Sequence, residues 1–237
     1  MITPSGGWSN LWAYSGTVIP YYTAPKTVTM PFSFKFYGQN TNKFYVTTNG
    51  FMSSTDNQYW PAFQFPNIST PNGVISPAGY YAQLGATGQV VRWGVDGTSP
   101  NRSCVFEWNI EQYFSPFPDR IAQAVIYEGT DVIEFRYNSG SGGAWGNGTQ
   151  YTGIAIEDQS GSNATIYGTS QPLTQTEPNT NLRFTPQIVV NTAAVLRVGN
   201  GTGTNNIGTY PQFRITAGAA SVWGGGADVL IPAGENG

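Results

Sequence analysis

The chain has no histidine and a single cysteine, Cys104, in 237 residues. Without histidine, every Ser-His-Asp or Cys-His arrangement is excluded, and so is the ordinary imidazole-based zinc site. One cysteine cannot close an internal disulfide, so cysteine usage leaves the redox compartment open. The neighbours of Cys104 in "RSCVFEWNI" alternate as in a strand, which makes it a small buried apolar residue. Charge is scarce too. Only 10% of residues are Asp, Glu, Lys or Arg, with a net charge of −3. An average soluble protein carries roughly 25% charged residues. So weak a charge offers no footprint for nucleic acid. Helical periodicity is almost absent, and no apolar run approaches the roughly 18 residues of a membrane span. There is no G-x-S-x-G elbow, and no glycine-rich loop with a P-loop lysine, so no cofactor is expected. The opening "MITPSGGWSNLWAY" lacks the basic and apolar regions of a signal peptide, so an exported chain would be in its mature form.

What is present is turn-forming and aromatic. There are 30 Gly and 16 Pro, and Phe, Trp and Tyr make up 14% of the chain. Many turns with few helices follow from the first, and a folded core from the second. The surface must be built of neutral Thr, Asn, Ser and Gln, with only three lysines, Lys26, Lys35 and Lys43. Such a surface is typical of secreted and cell-surface proteins.

Period-two patterns place strands over 27–37, 43–49, 51–54, 79–84, 89–95, 103–111, 120–128, 131–138, 151–158, 163–167 and 182–185. Shorter candidates follow at 187–190, 194–198, 210–216 and 227–231. In "MPFSFKFYG", Phe32, Phe34 and Phe36 share one face and belong to the core, while Lys35 faces solvent. Trp93 and Trp108, on alternating strands, are likewise core residues. Asn49-Gly50 predicts a type I′ hairpin turn, with both residues at positive φ. Gly129-Thr130, between "IAQAVIYE" and "DVIEFRYN", predicts a type II′ hairpin. The expected fold is an all-β antiparallel sandwich, jelly-roll-like, with strand-forming extensions at both ends. Residues 1–26 form the N-terminal extension, 27–186 the sandwich, and 187–237 a nearly uncharged C-terminal extension suited to assembly.

Few residues could carry chemistry. A carboxylate pair for glycoside hydrolysis needs a separation of roughly 5–9.5 Å. Glu107 and Glu111 share a strand face but are about 13 Å apart. Glu157 and Asp158 point to opposite faces, and Glu128 and Asp131 flank a solvated turn. A cross-strand pair such as Glu107 with Glu134 stays open, and a β-sandwich glycosidase is the remote reading. "IEDQSGSNA" offers Glu157, Asp158, Ser160 and Asn163 to calcium but misses the EF-hand spacing and reads as a polar hairpin loop. No metal site is assigned. Loop aromatics could stack on sugars: Trp8, Trp12, Tyr59, Trp60, Tyr80, Tyr81 and Trp145, with Trp60 and Trp145 the foremost. Asn-X-Ser/Thr sequons stand at Asn67, Asn101, Asn147, Asn163 and Asn200, where about three are expected by chance.

Taken in order, "MPFSFKFYG", "KFYVTTNGFMS", "ISPAG", "CVFEWNI", "RIAQAVIYEGTDVIEFRY" and "YTGIAIEDQSG" resemble the nidogen-type extracellular β-sandwich module over about residues 27–167. The likeness extends to related modules of secreted bacterial proteins and proteases. The acidic stretch usual in that family is replaced here by "ISPAGYYAQL", so no role of those acids is carried over. The resemblance implies an extracellular, non-catalytic module with structural or adhesive duties. The expected function is therefore a structural protein of the cell surface, self-assembling as a homo-oligomer or filament by β-strand addition. The alternative is a carbohydrate-binding or adhesin module with a polysaccharide partner. Neither reading involves nucleic acid, membrane insertion or an enzyme activity.

Overall fold

The computed structural model describes residues 1–13, 24–57, 65–79, 82–83, 88–112, 120–137, 144–145, 153–167, 175–176 and 181–186. The first compact unit of the chain is Met1–Pro186. The strand candidates beyond residue 187 lie outside the described residues.

The described elements are β-strands, paired antiparallel. They are β1 (Trp8–Ala13), β2 (Lys26–Phe36), β3 (Gln39–Val46), β4 (Met52–Ser53), β5 (Val74–Gly79), β6 (Ala82–Gln83), β7 (Val90–Asp96) and β8 (Ser103–Gln112). Then come β9 (Arg120–Tyr127), β10 (Ile133–Tyr137), β11 (Ala144–Trp145), β12 (Gly153–Glu157), β13 (Ala164–Ile166), β14 (Gln175–Thr176) and β15 (Leu182–Phe184). One sheet runs β1-β7-β8-β9-β10-β15, with β6 also on β8, and the other runs β13-β12-β5-β4-β3-β2. Strands β11 and β14 pair with each other.

The two sheets face each other across one apolar core, as in a β-sandwich. Phe32, Phe34 and Phe36 are 6%, 1% and 2% exposed and lie in that core, while Ser33 and Lys35 between them are exposed. Each such ring stabilises the fold by roughly 1.5–3 kcal/mol when fully buried. Phe44 of β3 meets Phe106 of β8 edge to face, 6.1 Å between ring centres. Trp108 and Cys104 of β8 are fully buried in the same core. Burial pushes the Cys104 thiol up to about 12, which leaves it inert. Tyr137 of β10 donates its hydroxyl to the Pro77 carbonyl across the sandwich.

Strand β2 lies at a sheet rim, and its pairing with β3 is interrupted between Thr29 and Phe34, around Pro31. A residue without an N–H is tolerated at such a place. Further along, Lys35 donates its main-chain N–H to the Asp131 carboxylate at 2.8 Å, and Gln159 donates its side-chain amide to the Phe36 carbonyl at 2.9 Å. Side chains therefore occupy backbone groups that a neighbouring chain could otherwise use.

Both hairpins exist, with turns other than those the dipeptides predict. Between β3 and β4 only Gly50 of the Asn-Gly pair has positive φ, and Thr47 N–H donates to Phe51 O across a wider turn. The reason lies in packing. Residues 47–51 are all buried, Gly50 O accepts the Ala78 N–H, and a Cβ on Gly50 would collide with the Ala78 carbonyl. Between β9 and β10, Tyr127 N–H donates to Val132 O, so the loop holds residues 128–131. Gly129 and Asp131 both have positive φ there. Asp131 is fixed by its bond to Lys35 on the other sheet, and this lengthens the turn beyond the two-residue form.

Strand β1 falls within the N-terminal extension, which is expected to form strand but carries no delimited period-two pattern. Its apolar positions do not alternate evenly, because the register shifts between Asn10 and Trp12.

Candidate functional site

Polar groups gather on the outer face of the seven-stranded sheet. On β8 the core face is Cys104, Phe106, Trp108 and Ile110, so Glu107 points outward by strand alternation. Register places Arg92 of β7, Glu107 of β8, Gln123 of β9 and Arg136 of β10 in one row. Arg92 contacts Glu107 Oε1 at 2.7 Å, and the Gln123 amide donates to Glu107 Oε2 at 2.7 Å. Both carboxylate oxygens are thereby bonded, as a carboxyl group that is only 4% exposed requires. The Arg92 guanidinium also lies 4.4 Å from the ring centre of Trp8.

The opening residues cover this row. Gln123 accepts the Ile2 N–H at 3.1 Å and donates to the Ile2 carbonyl at 3.1 Å, so one side chain pairs with main chain as a strand neighbour would. Asp96 accepts both the N–H and the hydroxyl of Ser5. Those bonds, led by the Ser5 hydroxyl, hold its carboxyl below the ordinary value.

Two further ion groups lie in this sheet. Burial raises the Glu134 carboxyl, yet the bonds from Arg136 at 2.8 Å and Tyr127 at 3.0 Å, with Arg183 nearby, hold it below its usual value. Glu128 takes both ends of the Arg102 guanidinium, at 2.8 and 2.6 Å, together with the Arg102 N–H. This fork holds Glu128 down to about 2. Glu107 and Glu134 thus share a face with β9 between them, each tied to arginine. Each carboxylate has an arginine counter-ion within contact distance.

The six-stranded sheet has a different outer face. Phe51, Phe65, Val74 and Ala155 form a second apolar cluster there. Glu157, at the end of β12, is fully buried beside it and accepts the Asn67 N–H at 2.7 Å. Its second oxygen, Oε2, has no hydrogen-bond partner. Burial, helped by Asp158 and opposed by the Asn67 N–H, pushes the Glu157 carboxyl up to about 7. Asp158 behaves oppositely. Its carboxylate accepts from Ser160, Ser162 and Asn163, closing the turn before β13, and these bonds outweigh burial and hold it below its usual value. Of the four residues weighed for calcium, three meet in the turn, where Ser160 and Asn163 donate to Asp158, while Glu157 is buried on the outer face of β12. Among the described residues no three His, Cys, Asp or Glu side chains cluster as a metal would require.

The loop residues separate case by case. Trp12 is 6% exposed in the core, and Trp8 is half-buried under Arg92, so neither is a free stacking platform. Trp60, Tyr59, Tyr80 and Tyr81 lie outside the described residues, and Trp145 sits on β11 with its side chain outside them. Of the sequons, Asn101 is exposed at a turn, Asn67 is half-buried, and Asn163 gives its side-chain amide to Asp158 at 2.7 Å. Asn147 and Asn200 lie outside the described residues. The sequence reading missed Arg92 and Gln123. Their signal is the opposite charge and polarity at facing outward positions of β7, β8 and β9.

The described elements define an all-β sandwich of two antiparallel sheets. The chain belongs to the NIDO-related (nidogen-related) family, whose model matches residues 5–194. Domains of this kind are typically extracellular, and among the described residues no helix is long and apolar enough to cross a membrane. No curated protein and no solved structure matched the chain.

Proposed function

We propose that the chain is a non-catalytic structural module of the cell exterior that joins copies of itself by β-strand addition. The observation that carries this reading is the position of β15. It is the last described strand, it lies at the rim of the seven-stranded sheet, and residues 187–237, whose sequence pattern predicts short strands, follow it directly in the chain. A segment that leaves at a rim can continue a ladder, in its own sheet or in that of a neighbour. The β2 rim is a poor acceptor, because Pro31, Asp131 and Gln159 occupy it. The non-catalytic part rests on the ionic groups described above: Glu107, Glu128 and Glu134 are each held by arginine, and Asp158 closes its own turn.

Negative-stain microscopy of the full chain, over a concentration series, tests the assembly. Uniform filaments or discrete oligomers are expected, and Val195→Pro or Val229→Pro should abolish them by removing a ladder donor. A full chain that stays monomeric throughout overturns strand addition and leaves the family membership untouched.

A further inference from the structure

Glu157 is the one described carboxylate that is fully buried and has an oxygen without a partner. It ends β12 and points, like Ala155 two residues earlier, to the outer face of the six-stranded sheet. Over that face lies the segment Phe65–Gly73. Phe65 is 5% exposed and inserts into the cluster with Phe51, Val74 and Ala155. The segment is tied down mainly at its end, where Asn72 N–H reaches Asp56 and Gly73 N–H the Asp158 carbonyl, both at 2.8 Å, while the Asn72 carbonyl accepts from Ser53 and Thr55 and the Gly73 carbonyl from Ser54. Nearer its start, Asn67 N–H reaches Glu157. The β12–β13 turn closes in from the side, where a Cβ on Gly161 would strike the Asn67 carbonyl.

Among the described residues the titratable groups named around Glu157 are acids. Asp158 is its chain neighbour, Asp56 holds Asn72, and Tyr37, from the β2–β3 turn, donates its hydroxyl to the Ile156 carbonyl at 3.1 Å. Among the described residues no lysine or arginine pairs with Glu157. A neutral acid can sit here with one hydrogen bond, but an ionised carboxylate needs several donors or a counter-ion at such depth.

We propose that Glu157 is a proton-operated latch, holding the segment Phe65–Gly73 over the Phe51–Val74 cluster while neutral and releasing it when ionised. Release restores water to the carboxylate and uncovers an apolar patch on the outer face. The direction follows from linkage. Closed, the acid titrates at about 7, and open, at its ordinary 4.5. The contribution of Glu157 to closure is therefore full below about 4.5 and is lost as the pH rises through about 7. The separation of those values shifts the closed-to-open ratio by roughly two orders of magnitude.

Hydrogen exchange of the full chain, corrected for intrinsic rates and compared at about pH 5 and about pH 9, reads the latch directly. The bonded amides of the segment, those of Asn67, Ser69, Asn72 and Gly73, should lose at least about tenfold in protection at the higher pH, relative to those of β8 and β9. Glu157→Gln, which stays neutral, should keep them protected at both. Equal protection at both pH values in the native chain, or an unchanged pH response in Glu157→Gln, overturns the proposal. If that variant does not fold, carboxyl NMR titration of the native chain decides. A glutamate titrating near neutrality supports the latch, and titration of every glutamate below about pH 5 refutes it.

Discussion

Trp108 donates its indole N–H to the carbonyl of Thr47 at 2.8 Å, and both residues are fully buried. The bond joins the middle of β8 to the turn between β3 and β4, so it ties one sheet to the other through polar groups that water cannot reach. Trp108→Phe keeps an aromatic ring but removes the donor and leaves a gap. The orphaned carbonyl costs about 1–3 kcal/mol, and the cavity adds about 1 kcal/mol or more. Urea unfolding should show a loss of roughly 2–4 kcal/mol with an unchanged m-value. A loss below about 1 kcal/mol would show that the turn finds another donor.

Gly50 and Gly38 have similar positive φ, 75° and 84°, but different surroundings. A Cβ on Gly50 would enter the Ala78 backbone, while one on Gly38 meets nothing within 4 Å. Gly38→Ala should cost only the left-handed strain, about 1 kcal/mol. Gly50→Ala should cost roughly 3 kcal/mol or more and lower the melting temperature several times as far. Equal losses would mean that backbone conformation alone, and not close approach, fixes Gly50.

Acid should weaken the fold through Glu128. Its carboxyl, held at about 2 by Arg102, lies below its ordinary 4.5, so the unfolded chain takes up the proton first as the pH falls. The stabilisation is present above about 4.5 and is lost as the pH drops towards about 2. Glu128→Gln should flatten that part of the stability profile and leave the neutral-to-alkaline part unchanged. A variant profile parallel to the native one would remove Glu128 as a source of acid sensitivity.

The architecture was legible wherever one strand face is apolar and the other is not. Phe32, Phe34 and Phe36 announce β2, and the alternation around Gly129 announces the β9–β10 hairpin. Turn types were not legible, because tertiary partners chose them: Ala78 for Gly50 and Lys35 for Asp131. The outer-face residues were hidden for a related reason. Gln123 and Glu107 look like solvent-facing positions, and nothing local says that Ile2 will lie over them. Glu157 sits in a stretch that reads as a polar loop, and its burial comes from a segment some ninety residues earlier in the chain.

The covers over the two outer faces differ in what they conceal. Under the opening residues lies a layer of arginine, glutamate and glutamine, which water can take over at little cost if the segment is pulled away. Under Phe65–Gly73 lies a greasy floor beside a single acid. Lifting the first cover would therefore expose polar groups that water can pair, whereas lifting the second would expose apolar side chains.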